Sequence, residues 1–193
     1  MPIMSTAEQA FCRSAPWRYI ARRAIVPWAL DNHQLDGDVL EIGAGSGAMA
    51  QSVAERFPSA QFTITDLDPT MVATAQRHLA RLDNVTVREA DVTALPFEDA
   101  SFDHVTSYLM LHHIVQWPAA LTEARRVLRP GGTLLGYDLR HSRPAVAIHV
   151  MDRSPYHLLG PRELRDGLHA AGFGSVVVRH ALATYAMKFM ATK

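Results

Sequence analysis

The stretch Val39-Leu40-Glu41-Ile42-Gly43-Ala44-Gly45-Ser46-Gly47 decides the fold, because an apolar strand leads directly into three glycines spaced two residues apart. A helical stretch follows this loop. Glycine has no Cβ, so the backbone can turn sharply and bring its amides against a small molecule, with the positive end of the next helix behind them. The same residues fit the dinucleotide fingerprint G-x-G-x-x-G/A. By itself the loop indicates an adenosine-bearing cofactor without choosing between NAD and another compound.

Two further predicted strands run into acidic residues. Asp66 follows the apolar run 61–65 and lies about 20 residues beyond Gly43, where a carboxylate binds ribose hydroxyls in such folds. Asp91 follows the next predicted strand, 85–89. The carboxyl ends of parallel strands meet at one edge of a sheet, so the sequence predicts that the glycine loop and both acids share a site.

These motifs, in this order, resemble the class I S-adenosylmethionine-dependent methyltransferases, and within them the small type 11 group that includes quinone-biosynthesis enzymes. The resemblance spans roughly residues 36–190 and implies S-adenosylmethionine as the cofactor. It rests on the glycine loop 39–47, Thr65-Asp66-Leu67-Asp68, Ala90-Asp91-Val92-Thr93-Ala94-Leu95-Pro96-Phe97, Ser101-Phe102-Asp103 and Arg126-Val127-Leu128-Arg129-Pro130-Gly131-Gly132.

Apolar residues alternate between helical and strand-like spacing along the chain, which predicts a sheet with helices on both faces. Together with the resemblance, this gives an α/β fold: a single Rossmann-like doubly wound sheet of about seven strands, the last antiparallel. We expect residues 1–35 to hold N-terminal helices, at 5–13 and 16–30, that form a lid or pocket wall. Residues 36–193 form the methyltransferase core, in one domain overall. Further strands are predicted at 102–107, 132–138, 174–180 and 183–190, with helices at 48–57, 69–81, 117–127 and 161–171.

The composition of the chain indicates which binding partners and which cellular location to expect. Lys plus Arg and Asp plus Glu are both 19, so the formal net charge is zero and no basic field for nucleic acid is expected. The single cysteine, Cys12, excludes an internal disulfide. No apolar run approaches the roughly 18 residues of a membrane span, and no secretory leader pattern begins the chain. We expect a cytoplasmic protein, a monomer or homodimer, without stable membrane insertion.

The resemblance implies which residues contact the amino-acid part of the cofactor. Gly43, Ala44, Gly45 and Gly47 would approach it, with main-chain amides and the helix end favouring its carboxylate. Glu41 would engage its ammonium group, directly or through water. The alternative for Glu41 is that it satisfies amides of the loop.

The nucleoside part has its own predicted contacts. Asp66 would accept both ribose hydroxyls. Asp91 would accept from the adenine amino group while the Val92 amide donates to the ring; the alternative is that Asp91 caps a short turn. Leu67 and Met71 would form the apolar walls of the adenine slot, with plain core packing as their alternative.

Methyl transfer from a sulfonium mainly requires that the acceptor, the methyl group and the sulfur are aligned and that water is excluded. A base is needed only for acceptors of high pKa. Tyr108 is predicted to flank the methyl group. His113 or His112 is predicted to accept the proton, with His113 preferred because it matches the histidine of the Glu-x-x-Glu-His pattern in metal-assisted quinone O-methyltransferases. Both histidines have helix capping as an alternative. The two acids of that pattern are absent, so no metal is expected.

The acceptor is predicted to be a small, apolar or aromatic molecule. Ser107-Tyr108-Leu109-Met110 differs from the Asn/Asp-Pro-Pro-aromatic run of methyltransferases that act on nucleobases or glutamine.

Two other functions stay open. One is a cofactor-binding module without turnover that activates a partner. The other is an NAD-dependent dehydrogenase, although Tyr185 and Lys188 are one residue too close for a Tyr-x-x-x-Lys pair.

Overall fold

The computed structural model describes residues 14–142, 146, 156–181 and 185–193. Seven strands form one sheet in the order β3-β2-β1-β4-β5-β7-β6. Strands β1 to β5 are parallel, and β7 runs antiparallel to both β5 and β6. This confirms the predicted fold class and the antiparallel last strand. The strands are β1 (Asp38–Ile42), β2 (Gln61–Asp66), β3 (Val85–Glu89), β4 (Phe102–Tyr108), β5 (Leu128–Leu139), β6 (Ser175–Ala181) and β7 (Ala186–Thr192).

Helices cover both faces, and most begin where the sequence predicts. Asp68 caps the helix that follows β2 by accepting from the Thr70 amide, with Pro69 in its first turn. The helices are α1 (Ala15–Ile20), α2 (Val26–Leu30), α3 (Ala48–Arg56), α4 (Pro69–Leu79), a 3₁₀ turn (Leu111–His113), α5 (Trp117–Val127) and α6 (Pro161–Ala170). The predicted helix 5–13 lies outside the described residues.

The single helix predicted over 16–30 is interrupted. Residues Ala21–Ile25 form a π-helical turn between α1 and α2. Pro27 explains the break, since it has no amide hydrogen to donate to the carbonyl of Arg23 and its ring crowds that carbonyl. The helical axis therefore shifts before α2 packs on the sheet.

Two apolar cores lie on opposite faces of the sheet. One contains Val105, Leu134 and residues of α5 and α6. The other joins Tyr108 and Tyr137 to α2, α3 and α4. Val26, Ala29 and Leu30 of α2 are buried in this second core, so α2 is an integral part of the domain. Among the described residues no helix is long and apolar enough to cross a membrane.

The strand order places a crevice between β1 and β4. From β1 the chain moves outward through β2 to β3, then returns to β4 on the other side of β1. Helices therefore leave β1 and β4 in opposite directions. In open parallel sheets this switch point, at the carboxyl ends of the strands, is where ligands bind.

Candidate active site

The glycine loop leaves β1 at the crevice with all three glycines in the left-handed region. Their φ angles are +66° at Gly43, +56° at Gly45 and +79° at Gly47. A Cβ on Gly43 would lie 2.0 Å from the Met110 side chain, whereas one on Gly45 would have nothing within 4 Å. The loop is therefore packed against the protein at Gly43 and open at Gly45, as a surface that receives a ligand would be.

The loop amides differ from the expectation that they face a ligand. The Ala44 amide donates to the Thr65 carbonyl at 2.9 Å, and the Gly47 amide donates to Ala44 at 3.0 Å. The Gly45 amide donates to Asp66 at 2.7 Å. These three amides therefore bond within the protein, because the loop is tied to β2, and a direct bond from them to a cofactor carboxylate stays a prediction. Ala44, Gly45 and Gly47 stay predicted contacts through the loop surface.

Glu41 lies under the loop and is 1% exposed. Its Oε2 has no hydrogen-bond partner among the described residues, so the carboxyl is not spent on loop amides. Burial raises its pKa to about 8. A buried, unsatisfied carboxyl is costly to a fold. It fits the ammonium group of the cofactor's amino-acid part.

Two more buried polar atoms lack a partner in the described part of the chain: Ser107 Oγ and Tyr108 Oη. The register pairs Ile42 with Ser107, so both residues end β4 directly beside the end of β1. Burial raises the pKa of Tyr108 and keeps its hydroxyl neutral. Glu41 pairs with Thr106, so Glu41 and Tyr108 lie on one face of the sheet and Ser107 on the other; a polar ligand beside the first two would give both a partner.

Tyr108 belongs to the core as well as to the crevice. Its ring lies 5.8 Å from that of Tyr137, within the cluster that contains α2 and α3. The position is beside Glu41, where the amino-acid part of a cofactor would lie. That Tyr108 flanks the methyl group stays a prediction.

Asp66 ends β2, and both of its carboxylate oxygens accept backbone amides. Oδ2 accepts from the Gly45 amide at 2.7 Å, and Oδ1 accepts from the Asp68 amide at 2.9 Å. Burial raises its pKa, against the opposing effect of these amides. Each oxygen retains a further lone pair for a ribose hydroxyl. The two backbone bonds hold the carboxylate in one orientation.

Asp91 does cap a turn. Its Oδ1 accepts from the amide and the hydroxyl of Thr93, at 2.8 and 2.7 Å, and the amide bond leads the lowering of its pKa. The capping alternative therefore describes Oδ1, and an adenine contact is left to Oδ2. Val92 is buried in the core at 4% exposure. Met71 is also buried, whereas Leu67 is half-buried and offers surface to a ligand.

The histidine pair lies on the 3₁₀ turn after β4. The turn is preceded by Leu109, which has a φ of +54°, a strained conformation for a branched side chain. His112 Nδ1 and the His112 amide both bond to the carboxylate of Asp138, which is buried at 1% exposure. The His113 ring is half-buried, with its centroid 4.0 Å from that of His112. The pair thus both structures the turn and carries an oriented imidazole.

Asp138 is the site residue that sequence reasoning missed as a partner of His112. Register brings it there, since Tyr108 pairs with Tyr137 and the next residue of β5 faces the turn that follows β4. The signal in the sequence is an acid near the end of the strand next to the histidines. The carboxylate of Asp138 fixes the His112 ring, and the choice between His112 and His113 as the base stays a prediction. Among the described residues no group of three or more His, Cys, Asp or Glu could hold a metal.

Known proteins resemble this chain in sequence and in fold. Residues 40–136 match the family model described as "Methyltransferase domain". A demethylmenaquinone methyltransferase of Clavibacter sepedonicus is 31% identical over 192 residues, covering 86% of this chain and 75% of its own. A malonyl-[acyl-carrier protein] O-methyltransferase of Geobacter sulfurreducens is 36% identical over 152 residues, covering 72% and 57%. The chain thus spans between half and three quarters of the length of these relatives.

A solved structure supports the same fold. The S-adenosylmethionine-dependent methyltransferase from Aquifex aeolicus superposes with a TM-score of 0.78 at 18% identity, covering 96% of this chain and 97% of its own. The cofactor expectation is confirmed by the family, and the dehydrogenase alternative finds no support among these relatives. The chain belongs to the class I S-adenosylmethionine-dependent methyltransferases, in the type 11 group.

Proposed function

We propose that this methyltransferase alkylates a small molecule with an apolar or aromatic body, bound at the carboxyl ends of β4 and β5. The observation that carries the proposal is the His112–Asp138 pair, a buried and oriented imidazole one turn beyond the strand that carries Ser107 and Tyr108. A base at this place serves an acceptor that loses a proton.

The cofactor supplies a methyl group that is already electrophilic. Glu41 would bind the ammonium group of the cofactor, which would give the unsatisfied Oε2 a hydrogen-bond partner. Asp66 would hold the ribose from a rigid strand end, and Asp91 Oδ2 with Val92 would face the adenine. Leu67 and Met71 would border the ring, with Leu67 presenting the more accessible surface.

His112 would accept the acceptor's proton. Because Nδ1 donates to Asp138, the neutral ring carries its lone pair on Nε2, and the carboxylate stabilises the imidazolium that forms. His113 stays the second candidate on the same turn, and Tyr108 is a candidate for aligning the methyl group. Alignment, rather than charge relay, supplies most of the rate in such a transfer.

The names of the relatives give several substrates. They include demethylmenaquinone methyltransferases, a malonyl-[acyl-carrier protein] O-methyltransferase and a probable phthiotriol/phenolphthiotriol dimycocerosates methyltransferase of Mycobacterium ulcerans, 38% identical over 104 residues. The proposal of a small acceptor therefore rests on the site rather than on these names. We propose in addition that residues 1–35 form a pocket wall to the core 36–193, and that the protein acts in the cytoplasm, as a monomer or homodimer, without nucleic acid.

The test is methyl transfer from S-adenosylmethionine labelled in its methyl group, with a bacterial metabolite extract as the acceptor source. We expect label in a small molecule that stays in solution when macromolecules are precipitated, and no label in precipitated protein or nucleic acid. His112→Gln should lower incorporation by roughly 10²- to 10⁴-fold. Label found only in the macromolecular fraction would refute the proposal.

A further inference from the structure

A basic groove lies beside the proposed acceptor position. Its basic members are Arg140 and His141, just beyond β5, and Arg162 and Arg165 in the first turns of α6. The groove has a volume of about 560 Å³, and Gly160, Pro161 and Val178 also line it. Its size is in the range of small-ligand sites.

The three arginines of the groove make no ion pair with any described residue, unlike Arg126, Arg129 and Arg179 elsewhere in the chain. The acid between Arg162 and Arg165 in the sequence, Glu163, already has partners. Its Oε1 pairs with His157 at 2.7 Å, and its Oε2 accepts from the Gly160 amide at 3.2 Å. In a protein of zero formal charge, the groove is thus a local concentration of positive charge that no acid of the described residues pairs with.

The groove adjoins the histidine turn. Arg140 follows Asp138 by two residues, about 7 Å along an extended chain. From the other side, the His157 amide donates to the His112 carbonyl at 2.7 Å, and the His141 amide donates to the Leu159 carbonyl at 3.3 Å. The segment 156–160 therefore touches both the turn and the groove. A molecule of modest length can reach from one to the other.

We propose that the basic groove binds an anionic group of the methyl acceptor, a carboxylate or a phosphate, while the acceptor's apolar body extends toward His112. Guanidinium groups bind both anions through paired hydrogen bonds, and Arg162 and Arg165 lie three apart on one face of α6. This inference rests on the proposed function and narrows its substrate class.

The test is calorimetry on the protein saturated with S-adenosylhomocysteine, at low salt, with phenyl phosphate, benzoate and neutral benzyl alcohol as probes. We expect one or both anions to bind at least tenfold more tightly than the alcohol. The stronger of the two identifies phosphate or carboxylate. Arg162→Gln combined with Arg165→Gln should weaken anion binding at least tenfold and leave the affinity for S-adenosylhomocysteine unchanged.

Two controls keep the result clear. Arg81→Gln removes an exposed arginine that follows α4 and should change nothing, and Arg140→Gln alone should repeat the loss from the β5 side. Equal binding of all three probes, or anion binding that survives the arginine substitutions, would overturn the inference. So would binding to phosphatidylglycerol vesicles without binding of phenyl phosphate, which would assign the groove to a membrane surface. These readouts do not depend on turnover, so a failure of methyl transfer to small molecules refutes the proposed function separately.

Discussion

Replacing Glu41 by glutamine should make the unliganded protein more stable at alkaline pH. Burial raises the pKa of Glu41 from 4.5 to about 8. Since one pKa unit corresponds to about 1.4 kcal/mol, the ionised carboxylate costs the folded protein on the order of 5 kcal/mol. The folded state holds this proton more firmly than the unfolded state does. Stability from this group is therefore greatest below pH 4.5 and falls as the pH rises toward 8.

Urea unfolding of both proteins from pH 5 to pH 8.5 measures this effect. Glutamine has nearly the same shape and no charge to ionise. The free energy of unfolding of Glu41→Gln should exceed that of the wild type by a margin that grows with pH, up to several kcal/mol near pH 8. A difference that does not change with pH would refute the buried, unpaired carboxyl.

Binding of S-adenosylmethionine should reverse the preference of Glu41 for its protonated form. An ammonium group beside Glu41 favours the carboxylate, so binding of S-adenosylmethionine at pH 6.5 should release close to one proton. Calorimetry in two buffers of different ionisation enthalpy measures that proton. Glu41→Gln should release none and bind roughly ten- to a hundredfold more weakly. No proton release by the wild type would place the ammonium group elsewhere.

Other substitutions test the remaining parts of the site. Asp66→Ala should weaken binding of S-adenosylhomocysteine by roughly 1.5 to 3 kcal/mol in a calorimetric titration, because it removes a carboxylate that accepts charge-assisted bonds; unchanged affinity would mean that another acid binds the ribose. Asp138→Asn should lower turnover about as much as His112→Gln while cofactor affinity stays within a few fold, because it disturbs the ring's tautomer; variants that keep full turnover but melt earlier would show a purely structural turn. Gly43→Ala should cost about 1 to 3 kcal/mol more in thermal unfolding than Gly45→Ala, since both have positive φ and only the first places its Cβ against a core side chain; equal costs would contradict the packing described for the loop.

Local chemistry explains the parts of the fold that sequence predicted. The strand over 85–89 appears with the predicted bounds, and α4 begins at Pro69 after its Asp68 cap. The acidic residues at the ends of two predicted strands also indicated the edge of the sheet at which the crevice lies. Each of these features depends on a few neighbouring residues, so a single sequence suffices.

Features that depend on distant partners were not predictable. The Ala44 amide turns to Thr65 of another strand, and Asp138 meets His112 only because β4 and β5 pair in one register. The break before α2 comes from Pro27, whereas the helical spacing of apolar residues around it predicted one continuous helix. The orientation of the His112 ring by Asp138 likewise depends on register rather than on a motif.

The most direct test of the central claim compares two cofactors on the same protein. Calorimetric titration with S-adenosylhomocysteine and with NAD should show tight binding of the first and weak or no binding of the second, because Glu41 and Asp66 offer carboxylates to an ammonium group and a ribose. Tighter binding of NAD than of S-adenosylhomocysteine would contradict the site described for the crevice between β1 and β4.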